Sequence, residues 1–532
     1  MIRSLPAFAV QPSLPNVIAD IARPHSDIAT EHAWVSAYAH NRTLHARIRV
    51  SEGPLPGQVD CDPADDRTVT VQLRSPEELV LACPALHLAP TAALLPSPRL
   101  NLARPPNPDN PHTLEAPAPA LVALRPGAVD SLALAPAARS IALAGRDGQA
   151  RVLALAHLDD GSIRLGPETR LRGHVGDVVA CHFAPSGEVV VTAASDMTIR
   201  VFSALDGSSP RVAPLPPRRP TALVPLVSPS SAHPALHKGR HLVAASLAGT
   251  LTLVDLAPAP PAPLRTWALA HPVTACVVIV DPAEPEDPDD VGQARYALAG
   301  CADGTVHLVP LSLSSSPTRR PRLLLRAPGP SAPVDALAAR LEPDGAGWTV
   351  ALGTRAGLVA VYSVTVSALV PLALSSPPSP SDGDALPLID PRAAWRRAAS
   401  PSARIHALAL SPRRTTSGPR AAATTVPSLS PSPGPGPGPG RTAPAPAPAT
   451  QRTASVLVAP ADGLAYRATF LDRDGRADEV GDGADAGECE VAVVEELVGL
   501  ECGEPATCVV EDAVGRVWLA GAGGAVRVYE RG

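Results

Sequence analysis

The sequence predicts an all-β protein, a seven-bladed β-propeller preceded by a small β-rich N-terminal domain. Three observations predict it. Seven units recur, each with three short apolar runs separated by tight turns. The turns fall at near-regular intervals: Gly249, Gly304 and Gly357 are 55 and 53 residues apart, a little above the ~40–45 residues of a bare propeller repeat. The prolines, 65 in 532 residues, gather between the runs, as they must, because proline has no N–H to give a central strand. A sheet this small cannot bury both faces alone, so the units must stack and close into a ring.

Composition narrows the function classes. Hydrophobic residues make up 45% but aromatics only 3%, so Val, Leu and Ala must fill the core. A net charge of −6 argues against a general nucleic-acid binder and permits a basic protein partner. Of the 45 basic residues only Lys238 is a lysine. With the high Ala and Pro content this reads as GC-rich coding bias, or else as avoidance of ubiquitin acceptor sites.

The eight cysteines are scattered and form no C-x-x-C pair; Cys502 and Cys508 have the wrong spacing for zinc and no His nearby. The expectation is reduced thiols in a cytosolic or nuclear protein, with no metal and no cofactor. The opening MIRSLPAFAVQPSLP is interrupted by Pro6, too early for a signal peptide. No run of ~18 apolar residues is present, so no membrane span is expected.

Taken in order, residues 1–30 are expected to be flexible. The N-terminal domain, 31–100, carries AWVSAY (33–38), LHARIRV (44–50), TVTVQL (68–73) and ELVLAC (78–83). A Pro-rich linker covers 101–119. The propeller spans 120–532. Its units begin at SLALAP (131–136), VVACHF (178–183), TALVPLV (221–227), VTACVVIV (273–280), VDALAARL (334–341), IHALALSP (405–412) and ATCVVED (506–512). ALVALR (120–125) is expected to close the ring as an outer strand, which removes free sheet edges. Low-complexity inserts at 375–403 and 411–454 explain the doubled step from Gly357 to Gly463.

The second unit, LRGHVGDVVACHFAPSGEVVVTAASDMTIRVF (171–202), is the most informative. Gly-His, then three strands with an Asp in the last turn, is the pattern of a WD40 repeat. In that pattern His174 bonds Asp196, and Phe202 stands where a Trp is usual, without the indole donor. Asp147, Asp303 and Asp462 fill the corresponding turn in other units. Ser195, His174 and Asp196 are also the residue types of a nucleophile, base and orienter. However, Ser195 and Asp196 are adjacent and Gly-x-Ser-x-Gly is absent, so the structural reading is preferred. GAGGAV (521–526) lies in a strand turn and opens no helix, which removes a dinucleotide site.

Residues 173–177 (GHVGD), 183–187 (FAPSG) and 203–207 (SALDG) make the unit resemble the second repeat of the proteasomal ATPase-associated factor family. Ala33-Trp34-Val35-Ser36 and the closing Gly524 to Tyr529 are further points of similarity. The third unit departs from the family's pattern, with Ala248-Gly249 and Val254-Asp255. The resemblance implies a non-catalytic assembly chaperone, monomeric when free, that binds an ATPase subunit of the proteasome regulatory-particle base through acidic and apolar loops. Asp177 and, in the matching slot of the sixth unit, Arg404 are candidate contacts on that face, or solvated turn residues. The competing readings are a WD40 adaptor in a ubiquitin-ligase or chromatin complex, and a propeller enzyme. For the enzyme no converging acid, base or metal set is present.

Overall fold

The computed structural model describes residues 2–530 apart from 24–27, 40–41, 56–57, 65–67, 97–128, 147, 158–162, 216–217, 227–238, 282–294, 314–320, 343–344, 346, 366–388, 416–451, 473–490 and 501–503. The chain forms seven antiparallel sheets arranged as propeller blades. Blade 1 runs from Val129–Leu134 to Ile163–Leu171, blade 2 from Val178–Phe183 to Arg211–Pro214, blade 3 from Pro220–Leu226 to Ala262–Ala268 and blade 4 from Val273–Val280 to Arg322–Arg326. Blade 5 starts at Val334–Leu341, blade 6 at Ile405–Thr415 and blade 7 at Ala506–Glu511. The first strand of each blade neighbours the first strand of the next, and that of blade 7 neighbours that of blade 1, so the ring is closed.

The core is distributed accordingly. Seven clusters of buried side chains each span two adjacent blades. Ala142, Ala144, Val190 and Phe202 join blades 1 and 2, and Trp518 and Val528 join blade 7 to Ile141 and Leu143 of blade 1. Small Ala and Val side chains let the blades approach closely, and each blade buries a face that it could not bury alone.

The first thirty residues depart from the expected flexibility. Arg3–Leu5, Ala7–Val10 and the helix Leu14–Ala22 are all ordered there. Leu14, Val17, Ile18 and Ile21 recur at helical spacing and are buried, and Pro15 sits in the first turn, where its missing N–H costs nothing. Ala7–Val10 pairs with Thr30–Ala39 in a four-stranded sheet completed by Arg42–Glu52 and Val59–Pro63.

The N-terminal unit is also stitched to the propeller's outer edge. Arg3–Leu5 adds as a parallel strand beside Ala393–Arg397 of blade 5. Leu88–Leu94, which the sequence pattern hid behind Pro90, pairs in parallel with Val491–Leu497 of blade 6. A buried ion pair lies at the seam, Arg397 of blade 5 with Glu496 of blade 6, and Glu496 accepts the Phe8 N–H at 3.0 Å.

Two insert boundaries need correction. Ala393–Arg397, inside the expected 375–403 insert, is the fourth strand of blade 5: Trp395 is fully buried and its Nε1 donates to the Tyr466 hydroxyl. The strands of blade 6 reach Thr415 and resume at Arg452, so they take both ends of the expected 411–454 insert. In blade 5 burial of Ala393, Ala394 and Trp395 outweighs the polar flank; in blade 6 the two strands extend by pairing with each other, Arg414 opposite Thr453 and Thr415 opposite Arg452. The candidate closing strand 120–125 lies outside the described residues.

Candidate interaction face

A single backbone hydrogen bond builds one face of the ring. In six blades the residue after the second strand donates its N–H to the carbonyl just ahead of the first strand. The pairs are Ser195 to Asp177, Leu247 to Arg219, Ala302 to Pro272, Arg355 to Pro333, Ala461 to Arg404 and Ala522 to Pro505, at 2.8–3.1 Å. Asp177 and Arg404 therefore occupy equivalent positions on that face. The tight turn that follows requires a left-handed residue, a glycine in blades 3 to 7 (Gly249, Gly304, Gly357, Gly463, Gly524) and Met197 in blade 2.

Blade 2 adds a side-chain network. The His174 ring is fully buried; its Nδ1 lies 2.9 Å from Asp196 Oδ2 and its Nε2 2.7 Å from Thr192 Oγ1. Asp196 also accepts from the Val175 N–H, and from the Thr198 N–H and hydroxyl. Burial pushes the His174 imidazole below its usual range despite the pull of Asp196. Although burial opposes it, bonds from His174, Val175 and Thr198 hold the Asp196 carboxyl below its ordinary value. With the carboxylate as acceptor, Nδ1 carries the proton and Nε2 accepts from Thr192. Both ring nitrogens are committed, so His174 presents none to Ser195. Phe202 packs its ring at 59° to His174, 6.2 Å between centroids.

The other turn aspartates do less. Asp303 accepts from the Thr305 N–H and hydroxyl, and half-exposed His271 lies 3.4 Å away. Among the described residues Asp462 accepts only the Leu464 N–H at 3.0 Å, and its buried Oδ2 meets no donor there. Asp147 lies outside the described residues.

A second ring of residues was not singled out in the sequence. In every blade the pairing of first and second strands skips one residue, a β-bulge at Asp130, Val179, Thr221, Thr274, Asp335, His406 and Thr507. Six of these seven are polar, each second in a strand whose next few residues are mostly apolar, and that repeated exception was the available signal. Thr221 and Thr274 reach the first-strand carbonyls of the next blade, Val273 and Val334. Asp335 instead receives a bidentate fork from Arg355, 2.9 and 3.0 Å, and Arg404 Nε from blade 6 at 2.7 Å. Asp130 takes Arg146 Nε at 3.1–3.2 Å. Asp177 is looser, 3.9 Å from Arg219.

The charge order on this face differs from the expected acidic rim. The guanidiniums lie outermost and most of the carboxylates beneath, because a buried carboxylate needs its cation while Arg can keep its outer N–H groups in water.

These features define a β-propeller that carries a WD40 repeat and presents a turn-built face. The family model described as WD domain, G-beta repeat matches residues 166–203, the blade 2 region. Among solved structures the chain is similar to the β-propeller domain of Cps50 (Swd1) from Myceliophteria thermophila, at 12% identity, a TM-score of 0.45, and coverage of 77% of this chain and 98% of that one. No curated protein matches the chain.

Among the described residues no three His, Cys, Asp or Glu side chains gather as a metal site, and no helix is long and apolar enough to cross a membrane.

Proposed function

We propose that this protein is a non-catalytic binding protein that docks a protein partner on the face formed by the inter-blade turns. The observation that carries this reading is the repeated clasp, which holds the loops of six blades rigidly on one side of a closed ring at little entropic cost on binding. The commitment of both His174 nitrogens to structural bonds also supports it.

The finer reading takes its support from the 173–177, 183–187 and 203–207 motifs. In it the partner is an ATPase subunit of the proteasome regulatory-particle base, held until the ring is assembled in the cytosol or nucleus. The test is affinity capture with the full chain, read by mass spectrometry at low and physiological salt. Recovery of regulatory-particle ATPases without the proteolytic core is the expected result. Recovery of a chromatin or ubiquitin-ligase complex with no ATPase would leave a WD40 adaptor in its place.

A further inference from the structure

We propose that the bulge ring from blade 5 round through blades 6 and 7 to blade 1 is a docking site for a carboxylate-rich segment of the protein partner, gripped by Arg404, Arg355 and Arg146. This deepens the binding-face reading and rests on it.

The stoichiometry carries the inference. The Asp335 side chain is 2% exposed, and the Arg355 fork alone already serves both of its oxygens. Arg404, from the next blade, is a second cation on the same carboxylate. One guanidinium satisfies Asp335, so the charge of the other is surplus. Arg404 is 44% exposed, and its two terminal nitrogens meet no group among the described residues.

Blade 1 repeats the arrangement. Arg146 engages Asp130 through Nε alone and is 61% exposed. The first strand of blade 7 lies against those of blades 6 and 1, which brings the two pairs round the same arc of the bulge ring, and His406 of blade 6 is within electrostatic reach of both. Its imidazole is held low chiefly by burial, then by Arg404, so it adds no charge at neutral pH. Glu504, on the loop ahead of the first strand of blade 7, accepts the Gly523 N–H at 2.8 Å.

At Asp335 two guanidiniums therefore share one covered carboxylate, and Arg146 adds a third, half-exposed guanidinium beside Asp130. A ligand that suits this surface supplies acceptors and negative charge. Carboxylates fit in the way that Asp335 already fits Arg355, two N–H groups to two oxygens. A nucleic acid fits less well, because a chain of net −6 repels a long phosphate backbone, whereas a short segment of a protein partner can set its few carboxylates on the arginines alone.

The experiment is fluorescence anisotropy of the full chain with three labelled probes: an Asp/Glu-rich decapeptide, its Asn/Gln counterpart and a single-stranded RNA decamer. The acidic peptide is expected to bind best and to weaken with salt, since half-exposed charges are screened. Arg404→Ala with Arg146→Ala should weaken it about tenfold, the scale of two half-exposed ion pairs. Arg355 still pairs with Asp335 in this variant, but Arg146→Ala leaves Asp130 without its cation, so a small fall in the thermal midpoint is expected there. Arg404→Gln alone provides a second variant that leaves both carboxylates paired and the midpoint unchanged.

Equal binding of the amide peptide, preference for RNA, or undiminished binding by both variants overturns the proposal. The two readings fail separately. If wild type captures proteasomal ATPases and the double variant captures them equally well, the docking site is wrong and the partner stands. If the acidic peptide depends on the arginines but no ATPase is captured, the site stands and the partner is wrong.

Discussion

Blade 2 and the blade 5–6 pair solve the same problem with different chemistry. Each must fix the loop ahead of the first strand against the turn after the second. Blade 2 does so with uncharged or singly charged short-range bonds, His174 to Asp196 and Thr192, Thr198 to Asp196. Blades 5 and 6 have no His at that place. They rely on ion pairs between blades, Asp335 with Arg404 on the loop face and Arg397 with Glu496 at the outer edge, and on strands borrowed from the N-terminal unit. The difference teaches that a propeller tolerates the loss of its repeat signature where neighbouring blades or added strands hold the ring instead. It also locates where each region should be fragile.

The largest effect is expected at the blade 5–6 seam. Glu496→Leu leaves the Arg397 charge buried without its partner and frees the Phe8 N–H, at a cost of about 3–5 kcal/mol. Adding Arg397→Met removes the stranded charge, and the double variant should recover most of that loss. Urea denaturation of the wild type, both singles and the double measures it. Additive losses would show that the pair is not coupled.

Blade 2 should respond less, and with a pH signature. His174→Ala leaves Thr192 and Asp196 short of a partner, a loss of about 2 kcal/mol. The His174 pKa is lowered in the folded chain, so between the ordinary histidine value near 6.5 and the lower folded value the unfolded chain holds more protons. Stability is then full above that ordinary value and declines on acidification through the window. Urea midpoints between pH 7.5 and 5 should show a shallower decline in His174→Gln than in wild type. An identical pH slope in both proteins would remove His174 from the linkage. His182, His307 and His406 are lowered in the same direction and supply the slope that remains.

How much of this was legible follows from the range of each interaction. The three inner strands of each blade follow from alternation and turn residues within some forty residues, and the His174–Asp196 bond follows from a motif 22 residues apart. The outer strands were harder. Leu88–Leu94 contains Pro90 and pairs with residues some 400 positions away, and Ala393–Arg397 sits beside low-complexity sequence. The bulge ring was missed because no single blade reveals it. Asp335 looks like a solvated interruption of an apolar strand until the register shift between Val334 and Ala336 re-aims it. Arg404 was singled out, but the carboxylate beneath it comes from another blade. The family resemblance implied acidic and apolar loops there; the structure has most of the carboxylates covered and the guanidiniums outermost.

The smallest effects sharpen the comparison at one backbone position. Gly357 in blade 5 has φ +78°, and a Cβ there would sit 2.7 Å from the Pro401 carbonyl oxygen and 3.0 Å from the Ala403 nitrogen. Gly357→Ala should therefore cost about 2 kcal/mol, part left-handed strain and part displacement of the next blade's loop.

Met197 occupies the same turn in blade 2 with φ +62° and a partly exposed side chain. The Asp196 bonds to the Val175 and Thr198 N–H groups hold that turn in shape, so blade 2 accommodates a side chain where blades 3 to 7 have glycine. Met197→Gly relieves the left-handed strain but frees the unfolded backbone, and the two nearly cancel, leaving a gain of about 0.5 kcal/mol. In an Asp196→Ala background the turn is no longer held, and the same substitution should gain more. An equal gain in both backgrounds would mean that the network does not support the strained turn, and the contrast between blade 2 and its neighbours would then reduce to the histidine alone.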